Sequence, residues 1–281
     1  MIDWLYGVID TILPVEAFSM TFMKNAFLAI LLLTPLLGLL GSMAVNKQMA
    51  FFSDALGHSA LTGIGLGMIL GLRSDLVGML IFGIVWAILI CLIKQNGSSS
   101  ADTVISVFSS TSIAAGLLIL AKGGKFAKYS NLLIGDILAV QQQDLFWLLL
   151  ALVGGIVVWM ILYNQLLLTS INSSLARSRG IRTRIIECCF VVLVALAVML
   201  AIRWVGVMLI NALLILPAAA ARNISRNSRQ HALFSVLIAL ISGLAGLICS
   251  YYVETSAGAA IVLVAALFYF ISLLLRMFRK Q

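Results

Sequence analysis

An aspartate and a histidine lie four residues apart in the segment FFSDALGHSALTGIGLG, residues 51–67, which is otherwise apolar and rich in glycine. Side chains at this spacing share one face of a helix, so Asp54, His58 and Thr62 are predicted to form a polar stripe. A carboxylate oxygen and an imidazole nitrogen can converge there on one divalent cation, and this donor set accepts Zn²⁺ or Mn²⁺. The alternative is that the two side chains only hydrogen-bond each other or cap the start of the helix.

Small residues follow a neighbouring face of the same helix. Ala55, Ser59, Gly63, Gly67 and Gly71 repeat every four residues. Such a ridge allows another helix to approach backbone to backbone, which is how helices associate when lipid removes the hydrophobic drive between them. The helix is therefore predicted to be held inside a bundle by this packing surface, with its polar stripe facing something other than lipid.

Composition identifies the surroundings of these residues as a membrane. The chain has 281 residues, of which 63% are hydrophobic and 10% charged, and its mean hydropathy is +1.15. An ordinary soluble domain is about half apolar and about a quarter charged. An ionised side chain inside a bilayer usually pairs with another group or lines a transport pathway, so a metal pathway is one prediction for Asp54 and His58.

Apolar runs long enough to span a bilayer recur along the chain, and their composition predicts helices. The predicted spans are 22–45, 49–71, 75–93, 102–121, 144–168, 185–203, 205–221, 231–252 and 258–276. A misplaced boundary would make this number eight or ten. The longest connection, 122–143, is too short for a soluble domain. We therefore predict an all-α integral membrane protein in which residues 1–281 form one transmembrane domain.

The distribution of lysine and arginine predicts the orientation. Most of them fall on the face that also holds the C-terminus, which the positive-inside rule assigns to the cytosol. Residues 1–21 then form an extracytoplasmic segment, and they lack the basic start and apolar core of a cleavable signal peptide. Lys122, Lys125 and Lys128 run against this orientation.

The charged loops account for the net charge of +8, so no nucleic acid partner is predicted. The four cysteines show no spacing typical of a metal site.

Three segments together resemble the permease subunits of bacterial ABC importers for zinc and manganese, the ABC-3 family. They are the opening segment, LLIGDILAV at 132–140 and WVGVMLINALLILPAAAARNISR at 204–226. In that family the Asp and His of a D-x-x-x-H pattern are the proposed intramembrane metal ligands, and they correspond to Asp54 and His58. The resemblance implies a type II importer-like bundle in the bacterial plasma membrane, working as a homodimer. It also implies a cytosolic ATPase that binds ATP, an extracytoplasmic metal-binding protein, and no permanently bound cofactor.

The resemblance also implies a segment that couples the permease to the ATPase. In the family, the position of residues 171–184 carries a short helix that docks in a groove of the ATPase. Here Ser173 or Ser174 can cap such a helix and Gly180 can end it. The coupling residues are predicted to be Ser174, Ala176, Arg177, Arg179 and Gly180. The alternative is an ordinary basic loop that binds anionic lipid.

Five further polar or helix-breaking residues have less specific predictions. Asp136 lies in a short apolar stretch and is predicted to belong to a re-entrant or surface helix near the outer mouth, with a role in gating or architecture, or to act as an N-terminal cap. Asn211 and Pro217 share one span and are predicted to serve as a gate or, more simply, as bundle architecture. Glu187 is predicted to pair with Arg184 or the helix start. His231, the second histidine, is predicted to lie at the cytosolic interface.

Two other function classes are alternatives to an ATP-driven permease. A secondary transporter could use Asp54 and His58 as a proton relay and would need no ATPase. An intramembrane enzyme would need a motif such as HExxH or paired aspartates, and neither occurs in this sequence. Manganese members of the ABC-3 family tend to carry proline four residues after the histidine, whereas this chain has Thr62. The sequence therefore favours zinc over manganese as the transported ion.

Overall fold

The computed structural model of the protein describes residues 6–7, 16–96, 100–124, 127–129 and 135–278, and all regular elements in these ranges are helical. The helices are α1 (Thr21–Asn46), α2 (Phe52–Ile69), α3 (Asp75–Asn96), α4 (Ala101–Lys122), α5 (Gln142–Ile171), α6 (Ser173–Ser178), α7 (Thr183–Val205), α8 (Val207–Ile224), α9 (Ser228–Val253) and α10 (Ala257–Phe278). Short 3-10 turns occupy Glu16–Ser19 and Ile137–Ala139. Most of the predicted segment 1–21, and parts of 122–143, lie outside the described residues.

The helices confirm the predicted fold class and correspond to the nine predicted spans in order. Within the described ranges, eight helices are long and apolar enough to cross a membrane. The ninth, α2, has 18 residues but is less apolar than the others, because Asp54, His58 and its serine and glycine residues lower its hydropathy. The helix that carries the polar pair is therefore the least apolar of the nine long helices in the described ranges.

α2 is packed on most of its sides by other helices. It packs against α3, α4, α7 and α8, and most of its residues are buried. α1 packs against α5, α8 and α9, and α10 packs against α8 and α9. The apolar side chains exposed on α3, α5 and α10 face outward, as expected for surfaces in contact with lipid.

α7 and α8 are joined through one residue, Gly206. Its φ of +85° places it in a conformation that L side chains rarely adopt, and it ends α7 and precedes α8 directly. The two helices therefore turn back on each other without a loop, which brings α8 against α2.

Candidate functional site

The polar pair occupies the first two turns of α2. A tight turn precedes this helix, in which the Met49 amide donates to the Ala44 carbonyl at 2.9 Å. α2 then begins at Phe52, so Asp54 lies in its first turn and His58 one turn later. The helix start thus fixes the position of both side chains.

Asp54 and His58 lie side by side on the one accessible face of this part of α2. The His58 Nε2 atom is 3.6 Å from the Asp54 Oδ1 atom, and the two side chains are 29% and 49% exposed. This distance is too long for a hydrogen bond, so both groups keep capacity for another partner. Among the residues that the structure describes, no third His, Cys, Asp or Glu joins them. A metal ion would therefore find two such ligands from one copy of the chain.

A residue from α8 completes this polar group. The Asn211 Nδ2 atom donates a hydrogen bond of 2.9 Å to the Asp54 Oδ1 atom. Gly57 makes the contact possible, because a Cβ at that position would lie 2.3 Å from the Val207 side chain. The two helices run in opposite directions here, so the turn before Gly57 meets the turn after Val207. The structure thus brings the predicted metal pair together with a residue that the sequence assigned to a gate or to architecture.

The distance along α8 indicates how deep the Asp54–His58 pair lies in the bundle. Near its end, Arg222 donates to the Val45 carbonyl at 3.1 Å, at the end of the bundle where α1 and α5 finish and α7 begins. We call this the basic end. Asn211 precedes Arg222 by 11 residues, which is about 16 Å of helix at a rise of about 1.5 Å per residue. Asp54 therefore lies well inside the bundle, although it is in the first turn of its helix.

Thr62 does not continue the polar stripe. Its hydroxyl donates to the Ser112 carbonyl on α4, and it is buried. The physical reason is the helical repeat: two four-residue steps rotate a side chain by about 80° away from the starting face. Thr62 therefore contacts α4, whereas Asp54 and His58 face α8 and the accessible side.

The small-residue ridge lies mainly against α3. A Cβ at Gly63 would lie 2.9 Å from the Met79 Cα atom, and one at Gly67 would lie 3.2 Å from the Gly78 Cα atom. Ser59 is fully buried and donates to the Leu56 carbonyl of its own helix. Gly71 differs from the prediction, because α2 ends at Ile69. It lies in the following turn with a φ of +70°, and a Cβ added there would have no atom within 4 Å.

The predicted coupling segment forms the short helix α6 at the basic end. Its N-cap is Asn172, whose Oδ1 atom accepts from the Ser174 and Leu175 amides at 2.9 and 3.0 Å. The prediction of Ser173 or Ser174 as the cap was therefore wrong, because the extended residue before the helix is Asn172. Gly180 follows α6 with a φ of +76°. Ala176 is fully buried, so α6 is anchored to the bundle on one side.

The other side of α6 is exposed and basic. Arg177 and Arg179 are exposed, and the Arg177 Nη2 atom lies 3.4 Å from the Ser174 Oγ atom. These are the residues predicted to contact the ATPase, and the structure places them together at the basic end.

A buried ion pair lies beside this segment. The Lys47 Nζ atom is 3.3 Å from the Glu187 Oε1 atom and 3.2 Å from the Thr169 Oγ1 atom. Burial lowers the pKa of Lys47, and the Glu187 carboxylate opposes that shift. The predicted pairing of Glu187 with Arg184 or the helix start was therefore wrong, because Lys47 reaches it from the turn before α2. No local pattern indicates a contact between residues so far apart along the chain.

Asp136 lies at the opposite end of the bundle and acts as a cap. Its Oδ1 atom accepts from the Leu138 amide at 3.0 Å, so the cap is the alternative that the geometry supports. Asp136 also lines a cavity of about 670 Å³ together with Lys128, Asp144 and Arg203. Within the described part of the chain, Asp136 makes no hydrogen bond to Asp54 or His58.

Pro217 is buried inside α8, which continues through it. It too makes no hydrogen bond to Asp54 or His58 in the described residues.

Two contacts were not anticipated. The Sγ atoms of Cys91 on α3 and Cys188 on α7 lie 2.6 Å apart, although sequence spacing offered no reason to pair them. His231 is buried and not interfacial, and its Nε2 atom contacts the Ala218 carbonyl at 2.9 Å. The physical reason is that α9 packs closely on α8, which covers the ring.

A bundle of helices long and apolar enough to cross a membrane defines a polytopic membrane protein, and in this one an Asp–His pair lies on a largely buried helix. Comparison with known proteins identifies the family. The profile of the ABC 3 transport family matches residues 19–276, and the chain belongs to this family.

Individual relatives match over most of their length. The manganese import system permease protein ScaB of Streptococcus parasanguinis is 32% identical over 251 residues, which are 89% of each chain. The high-affinity zinc uptake system membrane protein ZnuB of Haemophilus influenzae is 28% identical over 84% of this chain and 91% of its own. The structure of PsaBC from Streptococcus pneumoniae in complex with Fab superposes with a TM-score of 0.78, at 31% identity, over 90% of this chain and 91% of that one.

Proposed function

We propose that this protein is the permease subunit of an ATP-driven importer of divalent transition metal ions, and that Asp54 and His58 bind the ion during its passage. The observation that carries the proposal is the pair itself, half-exposed on an otherwise buried helix and well inside the bundle. Family membership and the metal permeases among the relatives support it.

The working unit is a dimer of this chain. One copy offers two His or Asp ligands, and a two-fold axis beside the accessible face of α2 would bring two more. The exposure of both side chains supports such a partner, because an isolated copy would leave a carboxylate facing lipid at a cost of a few kcal/mol. A site shared between copies opens when they move apart, so the ion can leave.

ATP hydrolysis takes place on a separate cytosolic subunit that docks on α6, and a metal-binding protein delivers the ion at the opposite end. The exposed Arg177 and Arg179 support the first contact, because a mobile ATPase needs a polar, accessible surface on a helix anchored to the bundle. The basic end is then cytosolic and the N-terminus extracytoplasmic, in the plasma membrane of a bacterium.

We infer zinc as the main cargo. The inference rests on α2, which continues without a proline at Thr62, because the order of affinities at a nitrogen and oxygen site favours zinc whatever the cargo. Manganese is the second candidate, because relatives with 30% identity or more include permeases named for manganese.

The experiment is metal accumulation in bacteria that lack their own zinc and manganese importers. Cells express this chain with its ATPase and binding protein, and total zinc and manganese are measured by mass spectrometry. Asp54→Asn and His58→Ala are expected to abolish accumulation at matched expression. Normal uptake by Asp54→Asn would refute the site, and uptake without the ATPase would indicate a gradient-driven transporter. Rescue of manganese alone would overturn the zinc assignment.

A further inference from the structure

In the described part of the chain, only one of the two polar atoms of the Asn211 side-chain amide makes a hydrogen bond. Its Nδ2 atom donates to Asp54. Its Oδ1 atom is buried and has no hydrogen-bond partner in the described part of the chain. A buried amide oxygen without a partner is uncommon in native structures and calls for a physical explanation.

Two other asparagines at helix contacts show the usual arrangement. The Nδ2 atom of Asn25 donates to the Val140 carbonyl, and its Oδ1 atom accepts from the Tyr6 hydroxyl. The Nδ2 atom of Asn223 donates to the Ser272 hydroxyl, and its Oδ1 atom accepts from Arg276. Both amides are satisfied at both ends, as expected for residues that only hold helices together. Asn211 differs from them at its acceptor.

We propose that Asn211 is a third ligand of the transported ion, and that its amide oxygen determines how strongly the site accepts manganese relative to zinc. The inference rests on the proposed function of Asp54 and His58. In the ion-free protein, the amide N–H group faces the Asp54 carboxylate. When a cation lies at that carboxylate, its positive charge repels the amide N–H group and attracts the amide oxygen.

The position of the three side chains fits this exchange. The Asp54 Oδ1 atom is the common neighbour, 2.9 Å from the Asn211 Nδ2 atom and 3.6 Å from the His58 Nε2 atom. The terminal torsion of an asparagine is broad and roughly two-fold, so rotation about it presents the oxygen to the same point. No backbone movement is needed for this step.

The chemistry of the added ligand predicts its effect on selectivity. Carboxylate, carbonyl and water oxygens suit manganese, whereas imidazole suits zinc. Zinc is also satisfied by four ligands in most protein sites. An extra neutral oxygen therefore helps manganese more than zinc, whichever ion is the main cargo.

The test uses the purified permease in complex with its ATPase, reconstituted in lipid vesicles together with its metal-binding protein, with uptake of radioactive zinc and manganese at several concentrations. Asn211→Leu removes both polar atoms at nearly constant volume. It is expected to raise the KM for manganese about tenfold or more, the effect of losing one group that supports a metal site, with a smaller change for zinc. Asn211→Asp keeps an oxygen and is expected to retain manganese transport. Ile215→Val, one turn further along α8, is the packing control.

The outcomes separate this inference from the function on which it rests. An unchanged ratio of zinc to manganese KM in Asn211→Leu, while Asp54→Asn abolishes both uptakes, would overturn the third ligand and leave the permease intact. Equal loss of manganese transport in the Leu and Asp variants would overturn it as well. If Asn211→Leu does not assemble with the ATPase, the ratio in Asn211→Ala decides by the same criterion. Uptake by Asp54→Asn would refute the proposed function itself.

Discussion

Lys47 and Glu187 form an ion pair at 3.3 Å that joins the turn before α2 to the first turns of α7. The Lys47 side chain is only 5% exposed, and it also contacts Thr169, three residues before the cap of α6. The two helices that flank the segment predicted to bind the ATPase, and the turn that leads into the helix holding Asp54, therefore meet at one buried ammonium group.

Breaking this pair is expected to destabilise the protein. Glu187→Gln leaves the Lys47 charge buried without its counter-charge, and we expect a loss of roughly 2–3 kcal/mol, moderated by the partial exposure of Glu187. Lys47→Met combined with Glu187→Leu should recover most of this loss. The measurement is thermal unfolding of the purified protein in detergent. Equal melting temperatures for Glu187→Gln and the unmodified protein would show that the pair contributes nothing.

Reversing charge on α6 is expected to weaken the contact with the ATPase. Arg177→Glu combined with Arg179→Glu replaces two exposed cations, and copurification of the ATPase and metal uptake should both fall severalfold. Arg229→Glu is the control, because Arg229 is also basic but lies at the start of α9. A permease that retains its ATPase after both reversals would contradict docking on α6 and favour the lipid-binding alternative.

Adding a methyl group at Gly57 is expected to separate α2 from α8. A Cβ there would lie 2.3 Å from the Val207 side chain, so Gly57→Ala should cost about 1–3 kcal/mol through overpacking and reduce metal uptake by moving Asn211 away from Asp54. Gly154→Ala is the matched control, since no atom lies within 4 Å of its Cβ position on α5. It should be neutral or slightly stabilising. Uptake that falls equally in both variants would contradict the explanation.

Oxidation is expected to link α3 to α7. Copper phenanthroline with oxygen takes two electrons and two protons from Cys91 and Cys188, whose Sγ atoms are 2.6 Å apart, and leaves one intramolecular disulfide. Peptide mass spectrometry after proteolysis should recover that crosslink. Cys189 and Cys249 lie on the outer surface of the bundle and are not expected to form this crosslink. Recovery of a Cys189–Cys249 crosslink in preference would contradict the packing of α3 on α7.

Sequence reasoning predicted what depends on local order along the chain. Apolar length predicted the long helices, and the four-residue spacing of Asp54 and His58 placed both on one face. Contacts between helices could not be predicted, because no local sequence pattern specifies which helices pack together. Asn211 is 157 residues from Asp54, Glu187 is 140 from Lys47 and Cys188 is 97 from Cys91.

Two local predictions failed for reasons of geometry. A four-residue repeat drifts around a helix of about 3.6 residues per turn, so Thr62 turned away from the face of Asp54. At α6, serine and asparagine are both good N-caps, and only the extended backbone of Asn172 decides between them. Cap choice within such a run of polar residues depends on where the preceding helix ends.

At Gly206, α7 is joined to α8 without an intervening loop. α7 starts five residues after the end of α6 and extends over 23 residues, about 35 Å of helix, before this single-residue joint. α8 then carries Asn211 back toward the middle of the bundle. From Thr183 to Asn211 the chain therefore consists of one continuous helix, a single-residue joint and the first turns of α8, with no loop in which a displacement of the start of α7 could be absorbed.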